Sequence, residues 1–385
     1  MSELHVKYKP IKSNKKIKVL FFKKINKFNN FILLKLFLFF IHNIIFTHCF
    51  YITIKVNNIG NQQVISDDFA IENYYPYKIT VNTEGQILRE KKVYVYSIEE
   101  KIKIEWKYQS QNLTYMFANL STITSIEIGS EPQPNTNISH IFFNCINLQN
   151  FSVINNNFEI SDMSYAFYNC HSMKFFSFKN FKFSRYIDLS YIFYNCTNLI
   201  NTNYNNNGKI KVNNMKYSFY NCFSLNSIDL NNFITENAID LSYAFYNCHS
   251  LVSLYIEFWY YNYRFMIKDM RYLFYNNTSL ENIRMEFYTS STYYYNMSYS
   301  FYNCINLKRV GFGGWRMRPN DMRSMFYNCS QLNSLYFELY YSYSSVNMTK
   351  MFFNCNKIRT INFDSYYHYK YYPNDLHTMF YKIYT

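Results

Sequence analysis

Phe167-Tyr168-Asn169-Cys170 is repeated to the letter at 193–196, 219–222, 245–248, 301–304 and 326–329. Phe142-Phe143-Asn144-Cys145 and Phe352-Phe353-Asn354-Cys355 exchange only Tyr for Phe, and Phe274-Tyr275-Asn276-Asn277 carries Asn where Cys is expected. Four residues before each Phe stands an apolar side chain, in the series Leu113, Ile138, Met163, Leu189, Met215, Leu241, Met270, Met297, Met322, Met348 and Leu376. Successive members are 25 to 29 residues apart. A fixed period in this range means a solenoid, in which each unit buries its apolar face only against its neighbours.

Within a unit, Met163, Phe167 and Cys170 fall at i, i+4 and i+7, the spacing of one helical face. Asp162, Asp188, Asp240, Asp269 and Asp321, each just ahead of the first apolar residue, suit a helix N-cap. Beyond the Cys the period shortens. Leu251-Leu254-Ile256, Leu225-Ile228-Leu230, Leu280-Ile283-Met285 and Leu332-Leu335-Phe337 all read L-x-x-L-x-L, ending in strand alternation. The pattern predicts an α/β fold, a leucine-rich-repeat solenoid with one short helix and one short strand per repeat and a parallel sheet on one face. About eleven such units fill residues 108–385.

The unit M-x-x-x-F-Y-N-C-x-x-L-x-x-L-x-L resembles the BspA-type leucine-rich repeats of bacterial and protist surface proteins. It is also similar to the mycoplasma-type repeat with its M-x-x-M-F phrase, matched by Met322-Arg323-Ser324-Met325-Phe326 and Met348-Thr349-Lys350-Met351-Phe352. The chain departs from these families in placing Tyr or Ser before many of the Phe positions and Tyr-rich segments where polar turns are usual. The resemblance implies a non-enzymatic surface or secreted module for adhesion or interaction, and names no ligand.

The charge is unevenly placed. Of a net +14, residues 1–35 carry +9, from ten lysines against Glu3. No basic stripe of the kind nucleic-acid binders show remains in the rest. Residues 1–30 therefore read as a basic cytosolic segment, followed by a hydrophobic stretch at 31–54 in which 36–54 hold no formal charge. That length approaches the ~20 residues of a membrane-spanning helix. Lysines before it and few after it place the N-terminus in the cytosol and the repeats outside, whether as an uncleaved signal anchor or, with cleavage, as a secreted protein. A buried strand or helix is the bland alternative. Period-two runs at 51–56, 78–81, 92–97 and 101–106 predict a β-rich cap over 55–107.

Cys145, Cys170, Cys196, Cys222, Cys248, Cys304, Cys329 and Cys355 hold one place in their repeats. Equivalent positions in stacked units point the same way, against the geometry of a disulfide, so these read as a structural ladder of buried thiols. Cross-strand bridges are the alternative; no short C-x-x-C or paired His spacing speaks for a metal. The recurrent Asn reads as a turn residue satisfying neighbouring backbone groups, ahead of glycosylation at Asn112, Asn119, Asn137, Asn195, Asn276, Asn296, Asn328 and Asn347.

No phosphate loop, nucleophile elbow or H-E-x-x-H occurs, and His171 and His249 follow equivalent cysteines without a recurring third group. The reading is of a protein without catalytic, metal or cofactor residues. Tyr260, Tyr261, Tyr263, Tyr293, Tyr294, Tyr295, Tyr340, Tyr341 and Tyr343 follow the strands and are the candidate partner-binding residues, for a protein or glycan ligand. An end-to-end surface coat and an intracellular scaffold are the competing functions. The Tyr of Phe-Tyr-Asn-Cys has no evident structural task and is a further place to look for a partner.

Overall fold

A computed structural model describes residues 50–69, 75–82, 84–86, 91–129, 133–154, 158–183, 185–203, 210–228, 230, 233–234, 238–258, 266–287, 295–317, 319–339, 346–364 and 379–380. The hydrophobic and basic N-terminal residues up to Cys49 lie outside that set.

The cap forms as its alternation dictates. Strands Phe50–Val56, Lys78–Val81 and Ile102–Trp106 pair antiparallel, with Phe50 opposite Trp106 and Lys78 opposite Glu105. Phe50, Ile52, Ile54, Ile79, Ile102, Ile104 and Trp106 are buried, and the residues between them face outward. Strand Phe50–Val56 takes in the last residues of the 31–54 hydrophobic stretch, so the cap begins at Phe50 and not at 55. Its alternate residues are apolar because one face of the strand is a core face.

On its other edge the same strand pairs antiparallel with Ile123–Ile128, which pairs parallel with Asn150–Val153, the first strands of the solenoid. The cap thus covers the open edge of the first repeat. It is tied there by Ser66 N–H to Met116 O at 2.8 Å and by Asn119 Nδ2 to Asp68 Oδ2 at 2.7 Å.

Among the described residues, the ten repeats that begin at Leu113 through Met348 each contribute the expected strand. Ser253–Phe258, Asn282–Phe287, Arg309–Met317, Ser334–Leu339 and Thr360–Asp364 form a parallel sheet in which Leu254, Ile283, Val310, Leu335 and Ile361 are in register. A second parallel sheet, absent from the sequence-based expectation, runs through Ile187–Asp188, Ile210–Asn214, Ala238–Asp240, Met266–Asp269, Tyr295–Asn296 and Pro319–Asp321. These short strands lead into the Asp or Asn that opens the repeated phrase.

The expected short helix does not form. Among the described residues no helix spans the repeated phrase; it is a run of turns with two left-handed residues per unit. In the unit around Phe167 these are Tyr165 (φ 56°) and Asn169 (φ 59°). The backbone amides then alternate in direction. Met163, Tyr165, Phe167 and Asn169 donate to Asp188, Ser190, Ile192 and Tyr194 of the next unit, while Ala166, Tyr168 and Cys170 donate three residues back. Ser164 N–H is taken by Asp162 Oδ1 at 2.8 Å. Every amide from Met163 to Cys170 is satisfied, half of them between units, which a helix with its i→i−4 bonds could not do.

The expected N-cap aspartates keep their chemistry without the helix. Asp188, Asp240, Asp269 and Asp321 likewise accept the N–H two residues on, at 2.7 to 3.0 Å, closing Asx turns.

Met163, Phe167 and Cys170 are fully buried, as the spacing requires, because this run of turns turns the same three positions inward. The phenylalanines stack in one column from Phe117 to Phe380, with neighbouring ring centroids 5.2 to 5.7 Å apart. This column is the axis of the core. Among the described residues no helix is long and apolar enough to cross a membrane.

Candidate binding surface

The turn ribbon carries four parallel rows of side chains. The innermost is the cysteine row. The eight cysteines of this row are unbridged and buried, and each thiol points at the Phe carbonyl of the preceding unit: Cys170 Sγ to Phe142 O at 3.3 Å, Cys196 to Phe167 O at 3.0 Å, Cys222 to Phe193 O at 3.1 Å. Burial pushes the thiols of Cys145, Cys304 and Cys355 up to about 12, which keeps them protonated and unreactive. Asn277 stands in this row and does the same task with a different donor, its Nδ2 reaching Phe245 O at 2.9 Å. Its Oδ1 is left without a hydrogen-bond partner. The neighbouring histidines take no part: His171 Nδ1 lies 2.9 Å from Asn195 O, and His249 stacks on Phe223.

The asparagines form the second row, and here the structure differs from the turn role expected of them. Their side chains bond one another: Asn144 Nδ2 to Asn119 Oδ1, Asn169 to Asn144, Asn195 to Asn169, and onward from Asn247 to Asn354. The left-handed backbone, which Asn tolerates better than other side-chain-bearing residues, aims each amide outward along the row. The acceptor-pattern residues Asn119, Asn195, Asn276 and Asn328 belong to this ladder. Asn112, Asn137, Asn296 and Asn347 instead close Asx turns through Oδ1.

Two aromatic rows complete the ribbon. One runs Tyr115, His140, Tyr165, Tyr191, Tyr217, Tyr243, Tyr272, Tyr299, with ring centroids 4.4 to 4.8 Å apart. The other is built by the Tyr of the repeated phrase: Phe143, Tyr168, Tyr194, Tyr220, Tyr246, Tyr275, Tyr302, Tyr327, Phe353, at 4.3 to 4.8 Å. From Tyr165 onward the tyrosines of both rows are half-buried.

The first row occupies the left-handed positions, where a bulky side chain costs about 1–2 kcal/mol. Stacking on both neighbours, at about 0.5–1.5 kcal/mol a pair, offsets that cost. Burial raises the phenol pKa of Tyr191, Tyr217, Tyr243 and Tyr272 in the first row and of Tyr194, Tyr220, Tyr246 and Tyr275 in the second, Tyr246 to about 12, so these hydroxyls stay neutral. Ring faces are consumed by stacking. What faces solvent is a ridge of ring edges and hydroxyls repeating at the unit spacing.

Other candidate residues fare differently. Tyr260, Tyr261, Tyr263, Tyr293, Tyr294, Tyr340, Tyr341 and Tyr343 lie outside the described residues. Tyr295 is at 5 % exposure in the second parallel sheet, and its inward place does not offer it to a partner. The first aromatic row was missed from sequence, although the Tyr two residues before the Phe recurs as regularly as the one after it. Among the described residues no group of three or more His, Cys, Asp or Glu side chains is placed to hold a metal ion.

These features are those of a leucine-rich-repeat solenoid. The chain belongs to the family described as "Mycoplasma protein of unknown function, DUF285", matched over residues 161–266 and 260–366, and its residues 79–187 match the BspA-type leucine-rich repeat region. None of the curated proteins compared with it matches. Similar solved structures include an internalin from Listeria monocytogenes (16% identity, TM-score 0.28, covering 63% of this chain and 67% of that one). A leucine-rich cell surface protein from Faecalibacterium prausnitzii gives 16% identity and a TM-score of 0.25, with 65% and 82% covered. The TLR13–ssRNA13 complex gives 13% and 0.29, with 62% and 39% covered.

Proposed function

We propose that this chain is a non-enzymatic surface protein, membrane-tethered or secreted, whose solenoid binds a protein partner along the tyrosine ridge. The family relationship supports a protein-binding role in general, and the two half-exposed aromatic rows carry the assignment to this surface. Tyrosine offers contact area at low entropic cost together with a hydrogen-bonding tip. A protein ligand fits better than a glycan, because sugars pack on ring faces and here the faces are covered by the neighbouring rings. Hydroxyls and ring edges suit the carbonyls and side chains of a polypeptide. The Tyr-rich segments at 260–263, 293–294 and 340–343, outside the described residues, would add to the contact. The uncharged stretch at 36–49 and the lysines before it support the tether, with the repeats on the extracellular side.

The test is site-specific photo-crosslinking on intact cells that express the full chain. A benzophenone side chain at position 220, on the ridge, is compared with one at position 336, on the exposed face of the strand sheet. The proposal expects a protein adduct from 220, retained after enzymatic deglycosylation, and little from 336. Adducts only from 336, or a species that deglycosylation destroys, would overturn it.

A further inference from the structure

The two ends of the cap differ in chemistry. At the end where the chain enters strand Phe50–Val56, Tyr108 is 70 %, Tyr75 57 % and Tyr77 36 % exposed. Lysines stand among them: Lys78 and Lys103 flank Glu105, Lys103 Nζ lies 4.4 Å over the Tyr51 ring, and Lys107 Nζ lies 5.6 Å over the Tyr108 ring. The register brings these residues together, since Phe50 faces Trp106 and Lys78 faces Glu105, with Tyr77 N–H bonded to Glu105 O. The Tyr51 ring is held against the backbone of Gly129, where a Cβ would come within 1.9 Å of it. At the opposite end the exposed Tyr96 and Ile98 stand beside Glu99, Glu100 and Lys101; Glu99 Oε2 lies 3.7 Å from Lys55 Nζ, and Glu100 Oε2 accepts Tyr96 N–H. One end is aromatic with lysines in excess of Glu105, the other aromatic with its glutamates matched by Lys55 and Lys101.

Amphipathic aromatics mixed with lysine are what the interfacial zone of a bilayer selects, the rings at headgroup depth and the ammonium groups near lipid phosphates. Negative lipids attract such lysines, and the charge-balanced end has no comparable pull. The basic end is also the one that follows directly, at Phe50, on the uncharged residues 36–49. We propose that the Phe50 end of the cap rests on the headgroup layer of an anionic bilayer, with Tyr75, Tyr77 and Tyr108 at the interface and Lys78 and Lys107 on the lipid charges. The contact orients the solenoid on the membrane that tethers it, and so rests on the tethered form of the function above.

The experiment uses the full chain with Cys49→Ser, reconstituted into phosphatidylcholine vesicles with and without about one-third phosphatidylserine. An environment-sensitive fluorophore is placed on Tyr108→Cys or, as the control at the opposite end, on Ser97→Cys; the eight ladder thiols are buried. Retention of the chain after an alkaline carbonate wash reports the tether independently. The proposal expects iodide quenching at 108 to be at least threefold weaker than at 97 in phosphatidylserine vesicles. It also expects that difference to collapse in pure phosphatidylcholine and in the Lys78→Glu/Lys107→Glu variant. Equal quenching at both positions with the chain retained would overturn the docking and leave the tether standing. Loss of the chain in the wash would overturn both.

Discussion

The turn ribbon and the strand sheet lie on the same repeats yet hold their residues under different constraints. In the sheet only the inward positions are restricted, and the register row on the outer face changes from Tyr255 to Arg284, Gly311, Tyr336 and Asn362. In the ribbon almost every position repeats. Phe fills the core, Cys or Asn277 donates to the preceding unit, Asn and Tyr take up left-handed backbone, and Asp or Asn closes the opening turn. A strand satisfies its backbone by pairing alone, so its outer side chains are free to vary. A ribbon of turns needs particular side chains to hold its backbone, and those side chains then repeat as rows. The tyrosine ridge is a by-product of backbone demands before it is a surface.

Substitutions in the two regions should therefore differ sharply in cost. Phe219→Ala, inside the stacked column, is expected to lower stability by about 3–5 kcal/mol through the cavity it leaves. Urea unfolding monitored by circular dichroism would measure it. Asn247→Ala removes the amide bonds to Asn221 and from Asn276, both 2.8 Å, and puts Ala in a left-handed position. A loss of about 2–4 kcal/mol follows. Arg309→Ala, on the outer face of the sheet, should stay within about 0.5 kcal/mol in the same assay. Equal costs for these last two would break the comparison.

A gain is expected at Asn277, which interrupts the cysteine row between Cys248 and Cys304. Asn277→Cys removes a buried oxygen without a partner and restores the thiol-to-carbonyl contact made by Cys248 and Cys304. Stability should rise by about 1 kcal/mol, seen as a higher thermal midpoint.

The smallest effect is a pH dependence at His140, which stands in the first aromatic row, 4.5 Å from both Tyr115 and Tyr165. Burial holds its imidazole below the ordinary value of 6.5, against a weaker opposing pull from Asp162. The neutral ring is favoured by folding, so its contribution is full above the unfolded value. It is lost as pH falls from there through the lower folded value. His140→Tyr, which gives the row its usual residue, should remove that part of the acid destabilisation in melts taken between neutral pH and pH 5.

How much of this was legible follows the same division. The period, the buried positions 163, 167 and 170, the strands after Leu and the cap's alternation are all properties of which side faces inward, and periodicity reports that directly. Helix and turn ribbon share the i, i+4, i+7 spacing, so periodicity could not separate them. The deciding fact is the sign of φ at Tyr165 and Asn169. Recurrent Asn hints at it; Tyr, which seldom adopts it, does not. The second parallel sheet was hidden because its strands are two to five residues long, with no more than two apolar residues to mark each. The cap's start at Phe50 was masked by the hydrophobic stretch running into it.

The central claim is that the repeated phrase is a ribbon of turns bonded between units. The most direct test is a crystallographic determination of residues 50–385 fine enough to fix backbone dihedrals at Tyr217 and Asn221. The account predicts φ near +56° and +59° there, with their amides directed at Ser242 O and Tyr246 O of the next unit. Continuous right-handed φ through 215–222, with amides bonded four residues back within one unit, would contradict it.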